Sequence, residues 1–419
     1  MTTSPGQGVI SAAAVVTPEE VLEPGYVVIA DERIREVMPG LPPHDLATPG
    51  AVIDASELGG EWLVPGFVDI HVHGGGGAQV NGRAAPDVAA SIRTIARFHA
   101  RHGTTALLPT TVSDSFDHLV ATIEGISESM HHPIEGGARV IGVHLEGPWL
   151  ARAKSGAQNP EALRDPDMEE FRQLHEAARS TMRLLTIAPE LPGAFGIIAA
   201  ALDKGVRVAV GHTDADYETV VAAFGAGATH ATHLFNAMSP LHHRKPGPVG
   251  AALDDERVTL EVIADLEHVH PAVLRIIGRL AADRLVAVTD AIGPAGLGPG
   301  DYDLGGSKVS LVARRVSLAA DPTTLAGSTL TMDLAVRNLV EDAGLSMIEA
   351  VRAAATTPAR LLGMNDLGLI RAGAIADLAV LDARLSCVAT YIGGELVKTP
   401  SDAGAPVDGD PQESGGAPG

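Results

Sequence analysis

The middle of the chain alternates short apolar runs with alanine-rich segments of helical character. The runs are rich in Val, Ile and Leu, which is typical of strands buried on both faces of a parallel sheet. Such alternation from Val64 to Met364 predicts a closed (β/α)8 barrel of the TIM type, which needs roughly 250 residues. The predicted strands are Thr105–Leu108, Val140–Leu145, Leu184–Ala188, Val206–Val210, Thr229–His233, Thr259–Ala264 and Leu285–Thr289.

The two ends of the chain have a different pattern, with short strand-like runs and turns but no long helices. We therefore expect residues 1–63 and 365–398 to pair with each other. Together they would form a small discontinuous β-sandwich domain beside the barrel, which we place at residues 64–364. Residues 399–419 contain no Lys or Arg and are rich in Pro, Gly, Ser, Asp and Ala, so we expect a disordered tail.

The charge and cysteine content restrict the partners and the compartment. A formal net charge of -22 argues against a nucleic acid partner, because phosphate contacts need clustered Lys and Arg. Cys387 is the single cysteine, so no intramolecular disulfide can form, as suits a reducing cytoplasm. The first basic residue is Arg33, which predicts no secretory signal. The chain lacks a run of apolar residues long enough for a membrane span, and we expect a cytoplasmic protein.

Histidine and glutamate side chains stand at the ends of several predicted strands. They are His71 and His73, then Glu146, His212 and His233. A parallel barrel brings all its carboxyl strand ends to one face. His71 and His73 would lie on the same side of their strand, because side chains alternate. A single buried histidine is more often a hydrogen-bonded core residue than a ligand, but the set predicts a site for one or two divalent ions, Zn, Fe, Mn or Co.

Asp290 ends the last predicted strand and is the candidate catalytic residue. A helix N-cap is the structural alternative, but Ala291–Gly296 is loop-like in sequence. A carboxylate beside a metal can take a proton from the attacking water and return it to a leaving amine. His144 is expected to support the site or pack in the core, and His99 is expected at the surface.

The order of these motifs resembles a known family, the N-acetylglucosamine-6-phosphate deacetylases of the amidohydrolase superfamily. The resemblance extends to about Val397, and its most specific element is the Thr-His-Leu-Phe-Asn-Ala-Met run. The segments that carry it are His144–Trp149, Gly156–Pro160, Gly211–Thr213, Thr232–Met238, Arg244, Asp265–His268, Val288–Ala291 and Leu325–Ser328.

The resemblance implies specific roles for the site residues. Glu146, His212 and His233 would hold the principal metal, the His71 and His73 pair would favour a second one, and Asp290 would transfer the proton. Some members carry histidine where this chain has Gln158, which can donate a hydrogen bond but no positive charge. The implied substrate-binding residues are Ala157, Gln158, Asn236, Ala237, Arg244, His268, Leu325, Ala326 and Gly327.

The implied reaction is hydrolysis of the acetamide of N-acetylglucosamine 6-phosphate to glucosamine 6-phosphate and acetate, in amino-sugar catabolism or cell-wall recycling. Arg244, Lys245 and His268 would clamp the phosphate, and the loop that carries Arg244 and Lys245 is long enough to reach the neighbouring subunit of a homodimer. Two alternatives remain. One is another amidohydrolase that acts on cyclic amides or N-acyl amino acids, although no lysine stands where such enzymes bridge their metals. The other is a non-catalytic sugar-phosphate-binding barrel, which the intact Asp290 disfavours.

Overall fold

The computed structural model describes residues 7–43, 52–81 and 88–398. The expected disordered tail, residues 399–419, lies outside these ranges, and its prediction stands untested. In the described part of the chain, no helix is both long enough and apolar enough to cross a membrane.

The N-terminal region consists of short strands joined by turns, as its sequence predicts. These strands are β1 Gln7–Ala12, β2 Ala14–Val16, β3 Val21–Leu22, β4 Gly25–Ala30, β5 Arg33–Pro39, β6 Val52–Asp54 and β7 Trp62–Pro65.

The middle region alternates strands and helices. Its strands are β8 Phe67–Val72, β9 Gly74–Gly75, β10 Ala78–Gln79, β11 Thr104–Thr111, β12 Arg139–Val140, β13 Val143–Glu146, β14 Met182–Ile187, β15 Arg207–Val210, β16 His230–Ala231, β17 Thr259–Ile263 and β18 Leu285–Val288. Its helices are α1 Val88–Ala100, α2 Phe116–Ser129, α3 Met168–Ala177, α4 Ala194–Asp203, α5 Tyr217–Gly225, α6 Gly247–Asp254 and α7 Pro271–Ala281.

Eight parallel strands form the nearly closed barrel that the sequence predicts. Their order is β8, β11, β13, β14, β15, β16, β17, β18, and β12 pairs beside β11. The wall closes between β18 and β8, where the Thr289 hydroxyl donates to Asp69 Oδ2 at 2.6 Å and Asp290 N–H donates to the His71 carbonyl at 2.9 Å. Every residue of β8 and β18 is buried, which explains why β18 is apolar throughout.

Two strand predictions were too long. The predicted strand Val140–Leu145 is divided into β12 and β13, because Gly142 between them has a φ of 152° and interrupts the ladder. The predicted strand Thr229–His233 contains only His230 and Ala231 in regular pairing. His233 therefore lies beyond the strand, in the turn that follows it.

A mixed sheet joins the two chain ends, as expected for the discontinuous β-sandwich. Its order is β25–β24–β23–β7–β2–β3, and β23 pairs with β7 so that Val380 faces Leu63. It packs against the sheet β5–β4–β1–β6 over a core of its own that includes Ile10 and Tyr391. The C-terminal strands are β23 Leu378–Leu381, β24 Cys387–Ile392 and β25 Glu395–Lys398.

An antiparallel sheet that the sequence analysis did not predict is inserted after β18. It contains β19 Gly300–Leu304, β20 Ser307–Val312, β21 Arg315–Leu318 and β22 Asp321–Leu325. The chain then returns to the barrel through α8 Met332–Glu341, α9 Met347–Val351, a π-helix at Arg352–Thr356 and α10 Thr357–Leu361. The inserted sheet has a small apolar core in which Val112 and Ile292 of the barrel rim take part, so it lies over the carboxyl ends of the strands.

Candidate metal centre and catalytic cavity

Three predicted ligands meet at the carboxyl ends of β13, β15 and β16, and we call them the Glu146 group. Glu146 ends β13, and His212 and His233 follow β15 and β16. Glu146 Oε1 lies 3.2 Å from His212 Nε2 and 3.2 Å from His233 Nε2, and the two Nε2 atoms are 3.1 Å apart. One ligand atom from each residue falls within 4.8 Å of the others, so the group could hold a metal ion.

A second set, the His71 group, contains His71, His73 and Asp290. His71 Nε2 is 3.1 Å from His73 Nε2. Asp290 Oδ1 lies 3.3 Å from His73 Nε2 and 3.6 Å from His71 Nε2. The predicted catalytic residue is thus part of a second candidate metal site rather than an isolated base.

Glu146 connects the two groups. Its Oε1 faces His212 and His233 and also lies 3.5 Å from His71 Nε2, while its Oε2 lies 3.3 Å from His73 Nε2. A single carboxylate therefore touches both sets of imidazoles. Lys154, by contrast, pairs with Asp214 at 3.2 Å.

The hydrogen bonds of the imidazoles show that the donor sets fit a cation. His212 Nδ1–H donates to the Lys154 carbonyl at 2.8 Å, and His73 Nδ1–H donates to the Thr110 carbonyl at 3.0 Å. A carbonyl can only accept, so each ring carries a hydrogen on Nδ1, and the neutral ring then directs an Nε2 lone pair inward. Lone pairs that converge at about 3 Å repel each other unless a positive charge lies between them.

The protonation equilibria show the same need for positive charge. Burial favours the neutral imidazole of His71, but the nearby carboxylates outweigh it and hold its pKa well above the usual value. Burial also opposes protonation of His73, yet hydrogen bonds to Asp290 and Glu146 raise its pKa to about 9. Burial would raise the pKa of Asp290, but the charge on the two histidines lowers it. The carboxylates are therefore ionised and the imidazoles compete for a proton or a metal.

The strand ends bend sharply where these residues project into the cavity. His212, His233 and Asp290 have φ values of 46°, 26° and 48°, and Phe235 and Ala237 have 79° and 50°. Positive φ is uncommon outside glycine and is strained for most side chains. Its concentration at these five residues indicates that the fold holds the backbone in place to aim the side chains inward.

A cavity of about 290 Å³ opens beside both groups. Leu325 lines it from the end of the inserted sheet, and Gly327 lines it from the loop that follows. Of the predicted substrate-binding residues, those that line it are Ala157, Gln158, Asn236, Ala237, His268, Leu325 and Gly327. Ala326 is buried in the core of the inserted sheet instead.

Arg244 does not line this cavity. Its side chain is exposed in the loop between β16 and α6, with its guanidinium 2.6 Å from His243 Nε2. His268 does line the cavity and lies 2.7 Å from Asp265. Burial lowers the pKa of His268, but the Asp265 carboxylate outweighs it and raises that pKa above the usual value. One half of the expected phosphate clamp thus lies at this cavity and the other half faces outward.

Gln158 is held by the protein at both ends of its amide. Its Oε1 accepts from Ser113 N–H at 2.6 Å, and its Nε2 donates to Glu146 Oε2 at 2.7 Å. The side chain is nearly fully buried. Gln158 therefore orients the bridging carboxylate in addition to lining the cavity.

Several residues around the site were not predicted from the sequence. Phe235, Thr323 and Thr324 line the cavity, and the two threonine hydroxyls donate to Asp321 at 2.6 Å. Glu261 was also missed, although a lone acid in the apolar run Thr259–Ile263 was a usable signal.

The expectation that His99 is at the surface was wrong. Its ring is fully buried and Nε2–H donates to the Gly74 carbonyl at 2.9 Å, just after His73. Burial lowers the pKa of His99 to about 4. The periodicity of α1 places this histidine on the helix face that packs against the barrel, which the composition of the segment alone does not show.

A parallel barrel whose strand ends present imidazoles and carboxylates around one cavity is the architecture of a metal-dependent hydrolase. The sequence matches the amidohydrolase family over residues 62–399, and the chain belongs to this family.

Several relatives with named activities are similar to this chain over most of its length. The chain is 38% identical over 389 residues to an N-acetylgalactosamine-6-phosphate deacetylase of Escherichia coli O157:H7, covering 93% of this chain and 98% of that protein. It is 39% identical over 352 residues to the human N-acetylglucosamine-6-phosphate deacetylase, covering 81% and 84%. A Mycobacterium smegmatis N-acetyl-D-glucosamine-6-phosphate deacetylase mutant, solved in complex with N-acetyl-D-glucosamine-6-phosphate, superposes with a TM-score of 0.86 at 39% identity, covering 94% and 100%.

Proposed function

We propose that this protein hydrolyses the acetamide of N-acetylglucosamine 6-phosphate to glucosamine 6-phosphate and acetate. The observation that carries the proposal is the meeting of the Glu146 group and the His71 group at one cavity, which Asp290 also lines. The relatives that act on N-acetylated sugar phosphates support the substrate class.

Glu146, His212 and His233 would hold one divalent ion, and His71, His73 and Asp290 a second one. A bound divalent ion supplies Lewis-acid chemistry, in which the acetamide carbonyl is polarised and water becomes a stronger nucleophile at neutral pH. Glu146 would help to hold either ion, since its oxygens face the imidazoles of both groups. The geometry supports Zn, Fe, Mn or Co, which all accept imidazole and carboxylate ligands.

Asp290 would act as general base and then as general acid. It would accept a proton from the attacking water at Oδ1 or Oδ2 and donate it to the amine nitrogen as the C–N bond breaks. Its lowered pKa supports this order, because the carboxylate is ionised when the water arrives.

The remaining cavity residues would position the sugar. A cavity of about 290 Å³ is near the lower end of ligand pockets and suits one monosaccharide. Asn236 and Ala237 stand beside His233 and would contact the sugar, with Leu325 and Gly327 above it. Gln158 would contact the acetamide only through groups not already bonded to Ser113 and Glu146, so carbonyl polarisation would depend mainly on the metal.

Arg244 would contact the phosphate of a substrate bound in the neighbouring subunit of a homodimer, since it faces away from its own cavity. Arg244→Ala should raise KM for the phosphorylated sugar at least roughly tenfold, because hydrogen bonds to charged groups contribute about 1.5–3 kcal/mol. Activity on unphosphorylated N-acetylglucosamine, however weak, should hardly change.

Arg257, an exposed arginine paired with Asp255 at 2.6 Å, provides the matched control for Arg244. Arg257→Ala should leave both KM values unchanged. Equal losses of Arg244→Ala activity on the two sugars would show that Arg244 supports the fold or the metal site instead of the phosphate.

A second candidate substrate is the C4 epimer, N-acetylgalactosamine 6-phosphate, because the Escherichia coli relative that this chain covers to 98% is named for it. Acetate release should be measured on both epimers with metal-loaded protein, with an N-acetyl amino acid and a cyclic amide as comparisons. Preference for either of the latter two would assign another amidohydrolase activity. Binding of the sugar phosphates without acetate release would instead indicate a binding protein.

A further inference from the structure

Glu261 is a carboxylate in the interior of the barrel that neither the cavity nor the proposed chemistry uses. It lies on β17, its side chain is fully buried, and it is not among the residues that line the cavity. A buried carboxylate is costly unless donors surround it. The donors that hold it therefore indicate what it supports.

Three donors converge on this one carboxylate. Oε1 lies 2.8 Å from His71 Nδ1 and accepts from His233 N–H at 2.9 Å. Oε2 lies 2.8 Å from His230 Nε2, and His230 Nδ1 lies 2.7 Å from the Thr259 hydroxyl. Glu261 thus fixes a side chain of the His71 group and the backbone of the Glu146 group.

The contact with Glu261 determines which ring nitrogen of His71 faces the other members of the His71 group. With Nδ1–H donated to Glu261, the ring directs Nε2 toward His73 and Asp290. His233 is held differently, since its Nδ1 has no hydrogen-bond partner in the described structure and Glu261 contacts only its backbone N–H. Its Nε2 lies 3.2 Å from Glu146 Oε1. Loss of Glu261 would therefore free the imidazole of His71 while the His233 ring keeps its surroundings.

We propose that Glu261 is a positioning residue that orients His71, and that it thereby sets how tightly the His71 group binds the second divalent ion. The proposal rests on the two-ion site of the proposed function. Removing a carboxylate partner of a metal-binding histidine typically weakens metal affinity by about 10- to 100-fold, and here the loss should fall on one ion of two.

The test is Glu261→Gln, which keeps the shape but removes the charge and one acceptor. Zinc binding is measured by elemental analysis across buffered free zinc concentrations, and the Co²⁺-substituted protein is followed by its visible absorption. The variant should bind the first ion with wild-type affinity and the second about 10- to 100-fold more weakly. Its Co²⁺ spectrum should show one saturating component where the wild type shows two.

Asp333→Asn is the matched control, because Asp333 is another buried carboxylate with a histidine partner, His102 at 3.4 Å, outside both groups. It should bind both ions like the wild type. Wild-type affinity for both ions in folded Glu261→Gln, or equal loss in the two variants, would overturn the proposal.

A measurement on the wild type covers the case in which Glu261→Gln does not fold. In a ¹⁵N-histidine spectrum of zinc-loaded protein, His71, assigned with a His71→Ala variant, should carry its hydrogen on Nδ1. A hydrogen on Nε2 would overturn the proposal. If the wild type binds only a single ion, both the proposed two-ion site and the proposed role of Glu261 are contradicted. If the wild type binds two ions and Glu261→Gln has the expected effect, but no acetate is released, only the proposed reaction is contradicted.

Discussion

The Glu146 group and the His71 group use the same kinds of side chain but are held in different ways. In the His71 group, the Nδ1 atom of each histidine bonds to another strand of the barrel. His71 Nδ1 bonds to Glu261 on β17, and His73 Nδ1 bonds to the Thr110 carbonyl on β11. In the Glu146 group, His212 bonds to the Lys154 carbonyl in the segment after β13, and His233 Nδ1 has no partner among the described residues.

The difference shows two ways in which one barrel can aim imidazoles. His71 lies on β8 and His73 directly follows it. Both rings are held by other strands of the barrel, His71 by the Glu261 side chain and His73 by the Thr110 carbonyl. His212 and His233 lie beyond their strands and depend on left-handed backbone, with φ of 46° and 26°. Because a packed interior resists rearrangement more than a turn does, the His71 group should be the more sensitive to substitutions of distant core residues.

The largest effect should follow from removing the residue that the two groups share. Glu146→Gln keeps the shape of the side chain but loses the charge that faces four imidazoles. We expect both ions to bind more weakly and acetate release to fall by more than the roughly hundredfold typical for loss of a supporting partner. Elemental analysis and kcat measure this, with Glu349→Gln at a surface helix cap as control. Normal content of both ions would refute a bridging role.

Asp290→Asn should separate chemistry from metal binding. The amide cannot accept the proton, so kcat should fall by about 10²- to 10⁴-fold, the range for general acid–base groups. The Glu146 group lacks Asp290 and should keep its ion, which a metal titration can verify. A variant with nearly normal kcat would exclude Asp290 as the base.

The double substitution His71→Ala/His73→Ala should remove ion binding by the His71 group while the Glu146 group keeps its ion. The wild type should bind more than one divalent ion per chain after reconstitution, and the variant should bind one fewer, because the Glu146 group is left intact. Elemental analysis of both proteins gives the ratio. If the ratio is one in both, the histidine pair has a structural role and the comparison between two metal groups fails.

The smallest effect concerns His99, which supports the turn after His73 through the Gly74 carbonyl. Its folded pKa of about 4 is below the ordinary value near 6.5, so the fold favours the neutral ring. The resulting stability is present above pH 6.5 and is lost as the pH falls toward 4, about 3 kcal/mol at most since one pKa unit is 1.36 kcal/mol.

His99→Gln keeps a donor for Gly74 but does not titrate. Its free energy of unfolding should therefore depend less steeply on pH between 6.5 and 4 than that of the wild type. The difference in slope corresponds to one proton fewer taken up on unfolding. Chemical denaturation at several pH values measures the slope. Identical slopes would show that His99 is protonated equally in the folded and unfolded chains.

Several features of the site follow from local sequence alone. The apolar runs predict parallel strands wherever they occur, and a polar residue that ends a run must lie at one rim of the barrel. Glu146, His212 and Asp290 were found in this way, because strand direction and strand end are properties of a short segment. The discontinuous sheet from both chain ends likewise follows from where the strand–helix alternation stops.

Other features depend on which segments become neighbours, and only the tertiary structure decided them. Glu261 meets His71 inside the barrel because β17 and β8 lie on the two sides of β18 in the wall, and no local pattern encodes that arrangement. The inserted sheet after β18 and the burial of His99 depend on contacts with the barrel rim and wall. The sequence thus determined the candidate ligands at the strand ends, whereas packing between distant strands decided how each side chain is held. The physical reason is that hydrogen bonds inside a core join residues whose separation in sequence carries no signal.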